Sequence, residues 1–216
     1  MKVSKFFSLS LCLLLVLALV GTASAQDEGK TLVTGISMVG GDLETIDPSL
    51  SQTSSQIEIV NQMYVGLTHQ NEETATNEPG MALSWETAEG ENGGTVYTFQ
   101  LLEGVPWVHY NAETGAVEQI MDENGNGRVV TAQDFVYGMK RTLDPATGGA
   151  YAYVLAPTIV GGNEFLAGEG TADDVMVTAI DDTTLEIQSP EALAYAPSIY
   201  GLWMARAMPQ WAIEEF

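Results

Sequence analysis

The chain has 216 residues, with 7 Lys and Arg against 29 Asp and Glu, a formal charge of −22 at pH 7. An acid excess of that size repels phosphate backbones and anionic lipid, so nucleic acid is not an expected partner. Hydrophobic residues make up 45% of the chain, enough for a packed core, and a single cysteine excludes an intramolecular disulfide framework.

Residues 1–25 read as a signal peptide: Lys2 and Lys5 open it, Phe6 to Val20 form a mostly apolar run, and Ala23-Ser24-Ala25 is a small-x-small cleavage pattern. The run is shorter than the ~20 residues that span a bilayer. Cys12 follows Leu11, where a lipid-anchor box needs small residues, so cleavage without lipid is expected. The exported chain would then lack cysteine altogether.

After a polar leader at Gln26 to Lys30, Thr31 to Met38 carries Leu32, Val33 and Ile36 and predicts a strand. Gly40-Gly41 breaks it, and Ile46-Asp47-Pro48 predicts a turn, because a residue before proline is pushed out of the helical region. Ser55 with Glu58 fits a capping box, and Ile57, Val60 and Tyr64 form the stripe of a helix that stops at Gly66. Met81 to Glu86 and Thr95 to Leu102 predict a hairpin across a turn-rich link. Tyr97, Phe99 and Leu101 face one way and Thr98 and Gln100 the other, so one face is buried.

Tyr110 to Arg128 is polar and reads as a surface excursion. Thr131 and Asp134 then form an N-cap and N3 pair, followed by Phe135, Met139 and Leu143 on one helix face with Val136 beside them. A short helix is expected over Asn163 to Ala167. A second hairpin pairs Val175 to Ile180 with Thr184 to Gln188 about Asp181-Asp182. Pro190 to Phe216 reads as mainly helical, interrupted by Pro197 and Pro209, and no repeat of fixed period is visible.

Little in the chain suggests catalysis. His69 and His109 are isolated, with no His, Cys or acid at metal-ligand spacing, and read as surface or loop residues. There is no Gly-x-Ser-x-Gly elbow and no phosphate loop. With 29 acids, close carboxylate pairs arise by chance, so no enzyme activity and no cofactor are expected. Asp122, Asn124 and Asn126 with Gly127 match the first half of a calcium loop, but its last position would be the neutral Gln133. A plain Asn-Gly turn is the main reading there, with a calcium site as the alternative. Trp85, Trp107, Trp203 and Trp211 are too dispersed for a stacking platform and read mostly as core or hinge packing. Tyr151 and Tyr153 lie on a Gly-rich segment after a helix, where core packing and ligand contact stay equally open.

Thr131 to Tyr153, with Val136-Tyr137, Lys140-Arg141, Asp144-Pro145 and Tyr151-Ala152-Tyr153, resembles the signature of the oligopeptide-binding components of ABC importers, extracellular solute-binding protein family 5. Further boxes follow in family order: Ile46-Asp47-Pro48, Tyr64-Val65-Gly66-Leu67, Pro79 to Glu86, Tyr97-Thr98-Phe99, Gly104-Val105-Pro106-Trp107, Val177 to Glu186 and Pro209 to Phe216. The excursion from Tyr110 to Arg128 is longer than the family's short link at that place.

The resemblance implies an α/β, periplasmic-binding-protein-like type II fold of two lobes closing over a ligand, here incomplete. Residues 26–64 would be the polar leader and the start of lobe one, 65–208 an inserted mixed α+β domain, and 209–216 the re-entry to lobe one. The chain is then a front fragment of a longer protein. It implies an exported monomer at the periplasmic or extracellular face of the envelope, capturing a peptide and handing it to ABC-importer permease subunits. Gln52, Thr53, Ser54 and Tyr151 are the positions implied to meet the ligand. The same scaffold serves nickel, haem and sugar uptake. The rivals from other classes are a calcium-stabilised structural or adhesion module and a secreted hydrolase.

Overall fold

The structure, a computed structural model, describes residues 35–36 and 42–215. The signal peptide and most of the strand expected at Thr31 to Met38 lie outside them, and Gly35 and Ile36 are not in a strand. Everything below belongs to the unit formed by residues 36–216.

Helix α1 (Ser54–Met63) is capped by Thr53 and Gln56, not by Ser55 and Glu58 as expected. Thr53 Oγ1 accepts the Gln56 N–H at 3.3 Å, while Gln56 Oε1 accepts the N–H groups of Gln52 and Thr53 at 2.9 and 3.0 Å. Ser-x-x-Glu and Thr-x-x-Gln overlap two residues apart, and the box that wins has its N3 side chain buried: Gln56 is 2% exposed. Replacing Thr53 with alanine should cost about 1 kcal/mol of stability, read from a denaturant midpoint at unchanged slope. The same change at Ser55 should leave the cap intact.

The chain then makes a hairpin of β1 (Thr68–Gln70) and β2 (Asn77–Pro79). The main sheet follows from β3 (Ala82–Glu89) and β4 (Thr95–Leu101), three residues longer at the far end of β3 than the alternation suggested. The excursion from Tyr110 to Arg128 is exposed as expected, yet it is ordered. β5 (Val108–Asn111) pairs with β6 (Ala116–Gln119), and isolated bridges join Met121 to Gly127 and Pro106 to Val129. Helix α2 (Ala132–Leu143) comes next, then the short helices α3 (Ala152–Leu155) and α4 (Gly162–Leu166). The second expected hairpin is β7 (Val177–Asp181) with β8 (Thr184–Ser189). The tail is broken into α5 (Ala196–Tyr200), a 3₁₀ turn at Trp203–Ala205 and α6 (Gln210–Ile213).

The four strands are antiparallel in the order β3-β4-β8-β7. β8 enters beside β4, with Phe99 opposite Leu185 and Tyr97 opposite Ile187. Tyr97, Phe99, Leu101, Leu185, Ile187 and Val177 are buried on one face of the sheet. Helix α2 packs against β7 and β8, and the residues of its stripe, Phe135, Met139 and Leu143, are fully buried. Tyr200 closes the layer edge-on to Tyr97 and Phe99, with its hydroxyl donating to the Thr158 carbonyl at 2.7 Å. Burial pushes that phenol far above its ordinary range.

The Thr131–Asp134 pair opens α2 as expected. Asp134 Oδ2 accepts the Thr131 N–H at 2.8 Å and its hydroxyl at 3.2 Å, and the Trp107 indole N–H reaches the same oxygen at 3.4 Å. Burial nevertheless raises the Asp134 carboxyl above the usual range, because those hydrogen bonds only partly offset desolvation.

Neither histidine is isolated once the strands pair. His69 faces Glu78 across β1–β2 at 3.1 Å, and His109 faces Glu118 across β5–β6 at 4.0 Å. The two hairpins share one ten-residue spacing, His-x-Asn-x-Glu-Thr-x-x-x-Glu, from His69 and from His109. In both, the Asn Oδ1 accepts the next Glu and Thr N–H groups, the Asn amide donates to the paired Glu, and one residue has positive φ, Ala75 in the first and Gly115 in the second. These are Asx turns closing short loops.

The turn carboxylates respond to acid in one direction. The Asn126 backbone N–H holds Asp122 below the usual range, and the Thr183 N–H does the same for Asp181. The Asn111 amide lowers Glu118. A carboxyl lowered by folding adds stability above its unfolded pKa and loses it as pH falls through the folded value. Asp134 is raised, so its contribution has the opposite sign and fades as pH rises through its folded value. On acidification the turns at Asp122 and Asp181 should therefore open before the sheet unfolds. Amide NMR titration of Asn126 and Thr183 checks this, and resonances that moved only with global unfolding would refute it.

Candidate functional site

The loop before α1 is built from the Asp47-Pro48 turn. The Asp47 carbonyl accepts the Leu50 and Ser51 N–H groups at 3.1 and 2.9 Å and the Ser51 hydroxyl at 2.8 Å. Its carboxylate accepts the Ser49 N–H at 2.9 Å and a two-pronged pair from Arg141, Nη1 to Oδ1 at 3.0 Å and Nη2 to Oδ2 at 2.8 Å. Fork-to-carboxylate pairing fixes orientation as well as distance. A buried Ser49–Thr142 hydroxyl pair at 2.8 Å adds a second anchor to the same helix, α2, and Thr142 in turn donates to the Met204 carbonyl at 2.8 Å. The loop thus hangs from α2 and from the 3₁₀ turn that carries Trp203.

Gln52, Thr53 and Ser54 are all exposed. The Gln52 and Thr53 N–H groups and the Thr53 hydroxyl are engaged by Gln56, so they serve the helix cap. Among the described residues nothing pairs with the Gln52 amide or the Ser54 hydroxyl, which leaves these two side chains able to meet a ligand.

Tyr151 belongs to the same place through Trp203. The Trp203 indole N–H donates to the Ser51 carbonyl at 3.0 Å. The Tyr151 ring stands edge-on to the Trp203 ring, 4.9 Å between centroids at 77°. Tyr153 stacks on Tyr151 at 6.0 Å and 24°, and is 64% exposed. Tyr151 and Trp203 are half-buried. The residues expected to meet ligand are therefore brought together, with Trp203 as the link. Trp203 was expected to be core or hinge packing, and only the fold shows that it contacts both the Ser51 carbonyl and the Tyr151 ring. Asp47 and Arg141 stood in sequence boxes, but nothing in the spacing joined them.

The Asp122 loop lies elsewhere and is closed on itself. Asp122 Oδ1 accepts the N–H groups of Asn124 and Asn126 at 2.9 and 2.8 Å, and Oδ2 accepts the Asn126 amide at 3.1 Å. Asn126 thus presents donors to Asp122, the arrangement of a self-supporting turn. Among the described residues no group of three or more His, Cys, Asp or Glu side chains could hold a metal ion. No helix among them is long and apolar enough to cross a membrane.

This mixed helix-and-sheet arrangement is part of the type II periplasmic-binding-protein fold. The chain belongs to the bacterial extracellular solute-binding proteins, family 5, whose middle-region model matches residues 76–213. It is 33% identical over 196 residues to the dipeptide-binding protein DppE of Bacillus subtilis, covering 86% of this chain and 32% of that one. Among solved structures it is similar to the murein tripeptide binding protein MppA of Escherichia coli, with TM-score 0.64 and 26% identity over 80% of this chain and 30% of that chain. It is also similar to Listeria monocytogenes OppA bound to peptide, with TM-score 0.63 and 25% identity over 79% of this chain and 29% of that chain. The chain spans between about a quarter and a third of the length of the curated relatives it matches.

Proposed function

We propose that this chain is the front part of an exported solute-binding subunit that captures peptides and delivers them to the permease of an ABC importer. The supporting observation is the junction at Trp203, where the Ser51 carbonyl, the Tyr151 ring and the loop Gln52–Ser54 meet. Peptide ligands offer backbone donors and acceptors together with apolar side chains. Gln52 and Ser54 supply side-chain amide and hydroxyl groups, and Tyr151 supplies a ring face. The dipeptide and tripeptide binders among its relatives support the same ligand class.

In this reading residues 26–64 begin lobe one, 65–208 form its inserted domain, and 209–216 return to it. The protein works as a monomer, breaks no bond and closes over its ligand by lobe movement. The test is calorimetric titration of the full-length gene product with mixed di- to pentapeptides. Binding that weakens on Tyr151→Ala and on Ser54→Ala supports the assignment. A protein that binds no peptide, but melts higher with added calcium, would be a calcium-stabilised module instead.

A further inference from the structure

Arg206 is 7% exposed, and among the described residues it faces no carboxylate. Its Nη1 donates to the Gly201 carbonyl at 2.7 Å and its Nη2 to Asn61 Oδ1 at 2.9 Å, while the buried Nε has no hydrogen-bond partner. Desolvation brings the guanidinium down to about 10. A buried cation held only by neutral groups is an expensive way to fill space, since an apolar side chain of similar volume would serve packing at least as well.

The slot around it is shaped for the side chain. A Cβ on Gly66 would collide with Arg206 Nη1 and fall 2.5 Å from the Gly201 carbonyl oxygen. Gly66 has no such atom and the guanidinium passes. Asn61, which takes the other prong, lies in the second half of α1. Three residues before Arg206, Trp203 donates to the Ser51 carbonyl just ahead of the same helix. The segment Trp203–Arg206 therefore grips α1 at two places, one on either side of its first turns.

We propose that Arg206 is a positioning residue for ligand binding: by fixing Asn61 it sets where α1 lies, and so where Gln52 and Ser54 meet the ligand. The assignment rests on the peptide-binding reading above. Arg206 itself does not touch ligand. Its planar fork spans two acceptors on different elements, which a lysine ammonium, a point charge, cannot reproduce in the same geometry.

The test measures peptide affinity, melting temperature and the Trp203 indole N–H resonance of the full-length gene product, for wild type and for Arg206→Met, Arg206→Lys, Asn61→Ala and Asn61→Asp. Arg206→Met is expected to keep its melting temperature within a few degrees while losing at least tenfold in affinity and shifting the Trp203 indole resonance. Arg206→Lys should recover part of the affinity, and Asn61→Asp should retain or raise it by giving the guanidinium a carboxylate. A folded Arg206→Met protein with wild-type affinity overturns the proposal. Should Arg206→Met fail to fold, Asn61→Ala decides, because it removes one bond and leaves the arginine. A several-fold loss of affinity supports the role, and none refutes it. If wild type binds no peptide, the functional reading falls. The clamp then stands or falls on whether Asn61→Ala moves the Trp203 indole and speeds amide exchange in α1.

Discussion

Replacing Phe99 with alanine should cost about 3–5 kcal/mol, among the largest single losses this fold can suffer. Phe99 is fully buried at the middle of β4, which itself lies inside the sheet between β3 and β8. Its ring meets Trp85 at 6.1 Å, Tyr97 at 6.4 Å and Tyr200 at 6.0 Å. Truncation removes the apolar transfer gain and leaves a cavity. Paired strands on either side cannot collapse into it without giving up ladder hydrogen bonds. The melting temperature should fall by on the order of 10 °C. Phe99→Leu keeps most of the volume and should cost less than half as much. A loss below about 1 kcal/mol for the alanine change would mean that the aromatic cluster is not the core it looks to be.

Asp47→Ala should be the most damaging change near the ligand loop, at about 2–3 kcal/mol after allowing for the partial exposure of the pair. The carboxylate holds both prongs of Arg141 and the Ser49 N–H, and its side chain is 25% exposed against 18% for Arg141. Its removal leaves a half-buried guanidinium without a carboxylate, held by the neighbouring Tyr137 hydroxyl and the weak Met208 sulfur contact at 3.9 Å. Asp47→Asn keeps one acceptor and should cost less. Arg141→Met combined with Asp47→Ala should cost less than the sum of the two single changes, and strict additivity in that cycle would show that the pair contributes nothing. If the proposed peptide site is correct, peptide affinity should fall with Asp47→Ala, because the turn before Gln52 loses one of its two anchors on α2.

Local periodicity made much of this fold legible. The four-residue spacing of Phe135, Met139 and Leu143 and the alternation of Tyr97, Phe99 and Leu101 identified buried faces that are buried in fact. Each face is written within one element, where period and burial are tied by backbone geometry. The insertion of β8 beside β4 was not legible, since nothing in Thr95–Leu101 names a partner at Thr184–Ser189. The histidine pairs show the same limit on a smaller scale. A His and a Glu nine residues apart have no meaning until the hairpin register sets them opposite. At the candidate site, Gln52–Ser54 and Tyr151 came from resemblance. Trp203 and Arg206, which join the loop to the tail, needed the fold.

The strand order β3-β4-β8-β7 has a consequence for the order of events during synthesis. β4 can pair with β3 once Leu101 has emerged from the ribosome, but its other edge must wait for β8 at Thr184–Ser189. Through that interval the growing chain carries an open apolar strand edge, the kind of surface that other chains adhere to. Closing it requires a long loop to be ordered first, so the sheet should assemble slowly for its size. A ribosome pause that holds Thr184–Ser189 back from emerging would lengthen the exposure, and one placed after that strand has emerged would not.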